Sequence, residues 1–192
     1  MGFEVQRLER AANRGSTLLE LIVVLGLFML MISLGLEMYV QTMRGMEVQE
    51  AKFAQMLTAR EALSAIKRDV RHAHRVLDRA EGFRQGPETL ILQVPALRAD
   101  GQPRPGVYDT IVYHRSPNNP LALARTVRAA KGSARRSGTR ILAEDIARLN
   151  FAARPGETLV AVEIASRQTV HHRRSDLHLR ATAALRNRGG EG

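Results

Sequence analysis

The chain is 192 residues long and carries 29 Lys and Arg against 19 Asp and Glu, a net charge of +10. That length holds one modest domain with appendages, and the basic balance suits anionic lipid or nucleic acid without establishing either. Cysteine and tryptophan are absent and aromatics make up 4% of the residues, which excludes a disulfide framework and thiolate metal sites and argues against base-stacking platforms for single strands.

Residues 1–15 hold Arg7, Arg10 and Arg14 against Glu4 and Glu9, with no apolar run. Then come Arg14-Gly15-Ser16-Thr17-Leu18-Leu19-Glu20 and an uncharged stretch from Leu21 to Leu36. The cationic flank predicts a cytoplasmic N-terminus, with the body of the protein beyond the membrane. Leu21–Leu36 is 16 residues, fewer than the ~18 of a membrane span. Counted from Thr17 the stretch is 20 residues, about 30 Å of helix. A span of that length needs Glu20 neutralised or held at the interface, since an ionised Asp side chain at the membrane centre costs about 2.5–3.5 kcal/mol on insertion scales. Two plainer readings compete. An ordinary signal peptide would be cut at small residues such as Ser33-Leu34-Gly35, which lie inside the run. A simple single-span anchor is the other, and neither accounts for Gly15 or Glu20.

Gly15, the following Ser-Thr-Leu-Leu-Glu and the apolar run resemble the class III signal of type IV prepilins and type II secretion pseudopilins. The resemblance implies cleavage between Gly15 and Ser16 by a prepilin peptidase, methylation of the new amine on Ser16, and retention of the apolar helix. It also implies that Glu20, the fifth mature residue, meets the amine of a neighbouring subunit and sets helix register. The physical need is clear, because an unpaired charge buried among packed helices costs several kcal/mol. The chain departs from the family in two places: Ser16 stands where phenylalanine is usual, and Glu37 lies where a proline is frequent.

No proline occurs from Met1 to Gln85, so one long helix is allowed, with Gly26, Gly35 and Gly45 as softer points. Beyond Glu37 the pattern turns amphipathic. Phe53, Met56, Leu63, Ile66, Val70, Ala73 and Leu77 recur at helical spacing, with Arg60, Lys67, Arg68, Arg71 and Arg75 largely opposite. Gly82 to Gly86-Pro87 reads as the stop. From residue 88 the period becomes two: Leu90, Leu92 and Val94 alternate with Thr89, Ile91 and Gln93, and Leu177, Leu179, Ala181, Ala183 and Leu185 form a half-buried strand. Between them, Tyr108–Arg115, Leu121–Val127, Arg140–Leu142, Ala147–Ala153 and Glu157–Ala165 read as strands separated by turn chemistry. A helix followed by strands predicts an α+β domain with an antiparallel sheet, in keeping with a pilin-like fold. The expected partition is a leader at 1–15, a membrane and assembly helix at 16–37, its amphipathic continuation at 38–80, a β domain at 88–186 and a disordered tail at 187–192.

Within the family, Ala59-Arg60-Glu61-Ala62-Leu63 through Lys67–Ala73, Leu149-Asn150-Phe151 and Ala184–Asn187 resemble the minor pseudopilin J of type II secretion and, as a close second, the PilW-like minor pilins. The implied partners are the prepilin peptidase, other minor and major pseudopilins or pilins through the N-terminal helix, and an inner-membrane assembly platform. The implied location is a bacterial inner membrane, single-pass, with a periplasmic body.

Lys131, Arg135, Arg136 and Arg140 cluster among Gly132, Ser133, Ser137 and Gly138. They are a candidate anion contact, weighed against a flexible, solvated basic loop. His72 and His74 are two apart on the expected helix, about 200° around its axis, which does not suit one metal ion. His171-His172 beside Arg173-Arg174 reads as a solvated hairpin tip. No phosphate loop, dinucleotide loop, H-E-x-x-H or Ser-His-Asp ordering is present, so neither catalysis nor a cofactor is expected. A DNA-binding minor pilin in DNA uptake, an adhesive pilin, and an anchored periplasmic domain without a filament stand as alternatives.

Overall fold

The computed structural model describes residues 2–154, 157–170 and 173–185, with side chains from Leu18 onward except at 170, 173 and 174. The expected tail at 187–192 and the tip residues His171 and His172 lie outside the described residues. Among the described residues one helix and ten strands follow in order: α1 (Gly2–His72), β1 (Arg75–Val76), β2 (Arg79–Ala80), β3 (Phe83–Arg84), β4 (Leu90–Leu97), β5 (Pro103–Arg115), β6 (Leu123–Arg128), β7 (Gly138–Ala143), β8 (Ile146–Ala152), β9 (Leu159–Val170) and β10 (Arg173–Ala184). The residues group into two compact units, Met1–Gln49 and Glu50–Gly192.

The first unit is helical, and from Leu18 to Met46 its large apolar side chains are exposed, among them Leu21 (68%), Met31 (70%) and Met38 (72%). This stretch is long and apolar enough to cross a membrane. Two of its hydroxyls are satisfied locally. Ser33 Oγ donates to the Met29 carbonyl at 3.0 Å and Thr42 Oγ1 to the Met38 carbonyl at 2.8 Å, the internal pairing that a helix in lipid requires.

In the second unit, the last turns of α1 pack on antiparallel sheets, giving the α+β class. One sheet has five strands in the order β1-β4-β5-β6-β7; another has three, β10-β9-β8; β2 and β3 form a small hairpin. The helix buries Ala59, Ala62, Ile66 and Val70, with Ala73 buried just beyond its end, while Phe53 remains 58% exposed. The expected stripe is therefore corrected at Phe53, while Met56 is half-buried. At about 100° per residue, Phe53 lies about 140° from Ile66 around the axis, whereas Gln55 falls on the stripe and donates to Ser166 Oγ on β9 at 2.8 Å. Alanines carry little weight in a pattern read from bulky residues, yet they let the helix approach the sheet closely. Facing them are Leu90, Leu92, Val94, Ile111 and Tyr113 of the larger sheet and Phe151, Val160, Val162 and Ile164 of the smaller one. Trimming one methyl in Ile66→Val should cost about 0.5–1.5 kcal/mol, whereas Phe53→Ala should stay within about 0.5 kcal/mol. Urea unfolding of the full chain in nonionic micelles would separate the two.

The amphipathic helix expected to reach residue 80 ends at His72. The Ala73 N–H folds back on the Val70 carbonyl at 3.1 Å, and the N–H groups of His74 and Leu77 donate instead to the carbonyls of Gln93 and Ile91 on β4 at 2.8 and 3.0 Å. Sheet pairing outcompetes helix continuation here, although no glycine or proline marks the place. The Gly82 stop is instead a hairpin turn: Glu81 and Gly82 both have positive φ, 55° and 81°, the left-handed pair that suits the twist of a two-residue β-hairpin loop. Phe83 then lies against the His114 ring, 4.5 Å between centroids. With Ile91 and Val112 also fully buried, the larger sheet is covered on part of its second face, so strict in-out alternation fails along β4.

β7 and β8 belong to different sheets and are joined by Glu144-Asp145 alone. Asp145 has φ 57°, its carbonyl accepts the Arg167 N–H at 2.9 Å, and the next N–H, of Ile146, reaches the Leu121 carbonyl at 2.7 Å. Arg115 bridges the same corner, with Nη1 donating to the carbonyls of Pro120 (2.6 Å) and Ile146 (2.8 Å) and Nε to Glu88 (2.8 Å). The late strand is legible as expected. Leu177, Leu179 and Ala181 are half-buried, Ala183 and Leu185 are buried, and His178, Arg180 and Thr182 are exposed.

Candidate functional site

Two regions carry the candidate residues. In the N-terminal unit, Gly15 and Ser16 lie within α1, and their side chains are outside those described. Glu20 is exposed and has no ion-pair partner among the described residues. It sits at the start of the uncharged stretch, where an acidic group near one end of an apolar helix can meet a cation from another chain.

The basic loop between β6 and β7 divides into two fates. Arg135 is not a free anion contact. Its Nη1 donates to Asp109 Oδ2 at 2.7 Å and to the Pro95 carbonyl at 2.5 Å. Asp109 is fully buried and also accepts from the Ala130 N–H (2.8 Å) and Ser133 Oγ (2.8 Å). A buried carboxylate with one guanidinium and two neutral donors satisfies the rule that buried charge is paired and hydrogen-bonded. The Ala134 N–H adds a bond to the Leu97 carbonyl at 2.8 Å. The loop is thus tied to β4 and β5, which corrects the reading of a flexible loop. Gly132 fits this tie: it has φ 81°, and a Cβ there would come within 2.7 Å of an Arg104 guanidinium nitrogen. Lys131 is exposed and does not line the cleft formed by the other arginines.

Arg136 and Arg140 do converge. With Ala65, Arg68 and Asp69 of α1, Arg125 and Val127 of β6, and Gly138 and Thr139 of β7, they line a cleft of about 370 Å³. Register explains the crowding, because Arg125 and Arg140 are directly opposed on β6 and β7, a placement that is unfavourable for like charges. Asp69 relieves one of them: its Oδ2 accepts from Arg125 Nε at 2.7 Å and from the Tyr113 hydroxyl at 2.5 Å. Burial, the Asp69 charge and the hydrogen bond to it push the Tyr113 phenol well above its ordinary value, with Arg125 pulling the other way. Burial works against the Arg125 charge, but Asp69 and then Tyr113 outweigh it and raise the guanidinium above its ordinary value. Both shifts keep Tyr113 neutral and Arg125 charged at any physiological pH.

Arg68, Arg125, Asp69 and Asp109 were not singled out as site residues by sequence reasoning. Arg68 was assigned to the solvent face, and an aspartate in the middle of an apolar strand, as at Asp109, was the available signal for a buried ion pair. His72 ends α1 exposed, while His74 stacks on Tyr108 with ring centroids 5.0 Å apart. Comparison with protein-family models, with curated proteins and with solved structures finds no match to the chain.

Proposed function

We propose that this chain is a minor pseudopilin, a structural subunit of the priming or tip complex of a periplasmic pseudopilus in a type II secretion system. The observation that carries the reading is Gly15 and Glu20 placed at the head of an uncharged run on a helix whose apolar side chains are exposed from Leu18 to Met46. Exposed apolar surface of that extent calls for lipid or other helices to cover it. The α+β body that follows supports the same reading. In this account the protein is inserted in the inner membrane, cut between Gly15 and Ser16, methylated on Ser16, and bundled with other pseudopilins through α1. Glu20 pairs with a terminal amine and fixes the axial step. The PilW-like minor pilin shares each of these features and differs only in the filament it joins.

The test is N-terminal mass analysis of the protein extracted from membranes. The expected result is a chain beginning at a methylated Ser16. An intact Met1, or a start near Glu37, overturns the proposal.

A further inference from the structure

We infer that the cleft between α1 and β6–β7 is a binding site for a doubly charged phosphate group, held by Arg68, Arg136 and Arg140. Among the described residues Asp69 is the one acidic residue lining the cleft, and it is engaged by Arg125 and Tyr113. That leaves three guanidiniums, on Arg68, Arg136 and Arg140, with no hydrogen-bond or ion-pair partner among the described residues. Three exposed arginines lining one concavity gather positive charge there, and an anion offsets it. Guanidinium forks match tetrahedral oxyanions bidentately. A phosphate monoester carries about −1.5 to −2 at neutral pH and free phosphate is partly dianionic there, each a closer balance than the single charge of a phosphodiester.

The cleft is also built rather than incidental. Asp69 fixes Arg125 as its floor, and the Asp109–Arg135 tie holds the loop that delivers Arg136. Gly138, directly opposite Val127 on β6, leaves room: a Cβ added there would meet no atom within 4 Å. The ligand chemistry is therefore a phosphate dianion, whose source is either free phosphate or the monoester headgroup of a phospholipid.

The experiment uses the full chain in nonionic micelles and measures binding of inorganic phosphate, of water-soluble dihexanoyl phosphatidic acid, and of dimethyl phosphate, against chloride at matched ionic strength. Phosphate and phosphatidic acid should bind, with dimethyl phosphate weaker. Equal affinity of the first two identifies free phosphate as sufficient, and tighter phosphatidic acid identifies the lipid headgroup. Arg68→Gln combined with Arg140→Gln should lower affinity by about tenfold or more, as expected for losing hydrogen bonds to a charged group. Lys131→Gln, outside the cleft, should leave affinity unchanged. Gly138→Leu fills the cleft with every arginine in place and should also abolish binding. Unchanged binding in the Arg68/Arg140 variant, an equal response to chloride, or dimethyl phosphate binding as tightly as phosphate would each overturn the assignment.

Discussion

Asp109→Ala is expected to lower folding stability by about 3–5 kcal/mol, the range for breaking a buried ion pair from one side. Domains of this size are stable by only about 5–15 kcal/mol, so much of the folding free energy depends on a single carboxylate. The loss has three parts. Arg135, only 19% exposed, keeps its charge with the Pro95 carbonyl as its remaining partner. The Ala130 N–H and Ser133 hydroxyl lose their acceptor. The loop they anchor then loses its tie to β5. Asp109→Asn should cost less, because one acceptor oxygen survives. The double change Asp109→Ala with Arg135→Ala should cost less than the sum of the singles, since the second removes the stranded cation. Urea unfolding of the full chain, followed by tyrosine fluorescence in a protein without tryptophan, measures all four. Equal losses for the Asn and Ala variants would show that the surviving acceptor oxygen contributes nothing, whereas an Asn variant as stable as the native chain would show that the charge contributes nothing. The same substitution should weaken phosphate binding, because Arg136 is held in place by this loop.

Glu20→Ala is expected to leave membrane insertion intact or improved while reducing incorporation into a filament by about tenfold or more. The two effects have opposite signs for one reason. A carboxylate at the end of an apolar helix opposes entry into lipid by up to about 2.5–3.5 kcal/mol, so its removal favours insertion. In the proposed bundle the same group would pair with a neighbour's amine, and its loss would remove the preference for one axial register. Cleavage after Gly15 should continue. The measurement compares membrane-extracted protein with protein recovered in sheared filaments. If Glu20→Ala enters filaments at the normal ratio, the register role fails, and the anchored-domain alternative gains.

Periodicity made the main elements legible. The apolar run on α1, the two-residue repeat from Leu90 and the half-buried pattern of β10 all follow from local rules, and the structure retains them. What local rules could not give were features decided by distant residues. The helix ends at His72 because backbone donors at 74 and 77 find β4, and no residue in that segment announces it. Asp69 meets Tyr113 and Arg125, 44 and 56 positions away, and Asp109 meets Arg135, 26 positions away. Charge pairing of this kind has no period. The basic loop was visible as composition, but its division into a half-buried structural arginine and two cleft arginines required the strand register. Arg68 joined the site only because β6 and β7 lie beside its helix face. The two alanines of the buried stripe, Ala59 and Ala62, escaped notice because close packing favours small residues where a hydrophobic pattern gives them least weight.

The dipeptide Glu144-Asp145 carries a mechanical implication. It is the sole covalent passage from β7 to β8, and Asp145 holds it in a left-handed corner with its carbonyl bonded to Arg167. There is no slack at this joint, and Arg115 rivets it from the other side through the Ile146 carbonyl. The joint therefore couples the two sheets through two residues and these hydrogen bonds rather than through a loop.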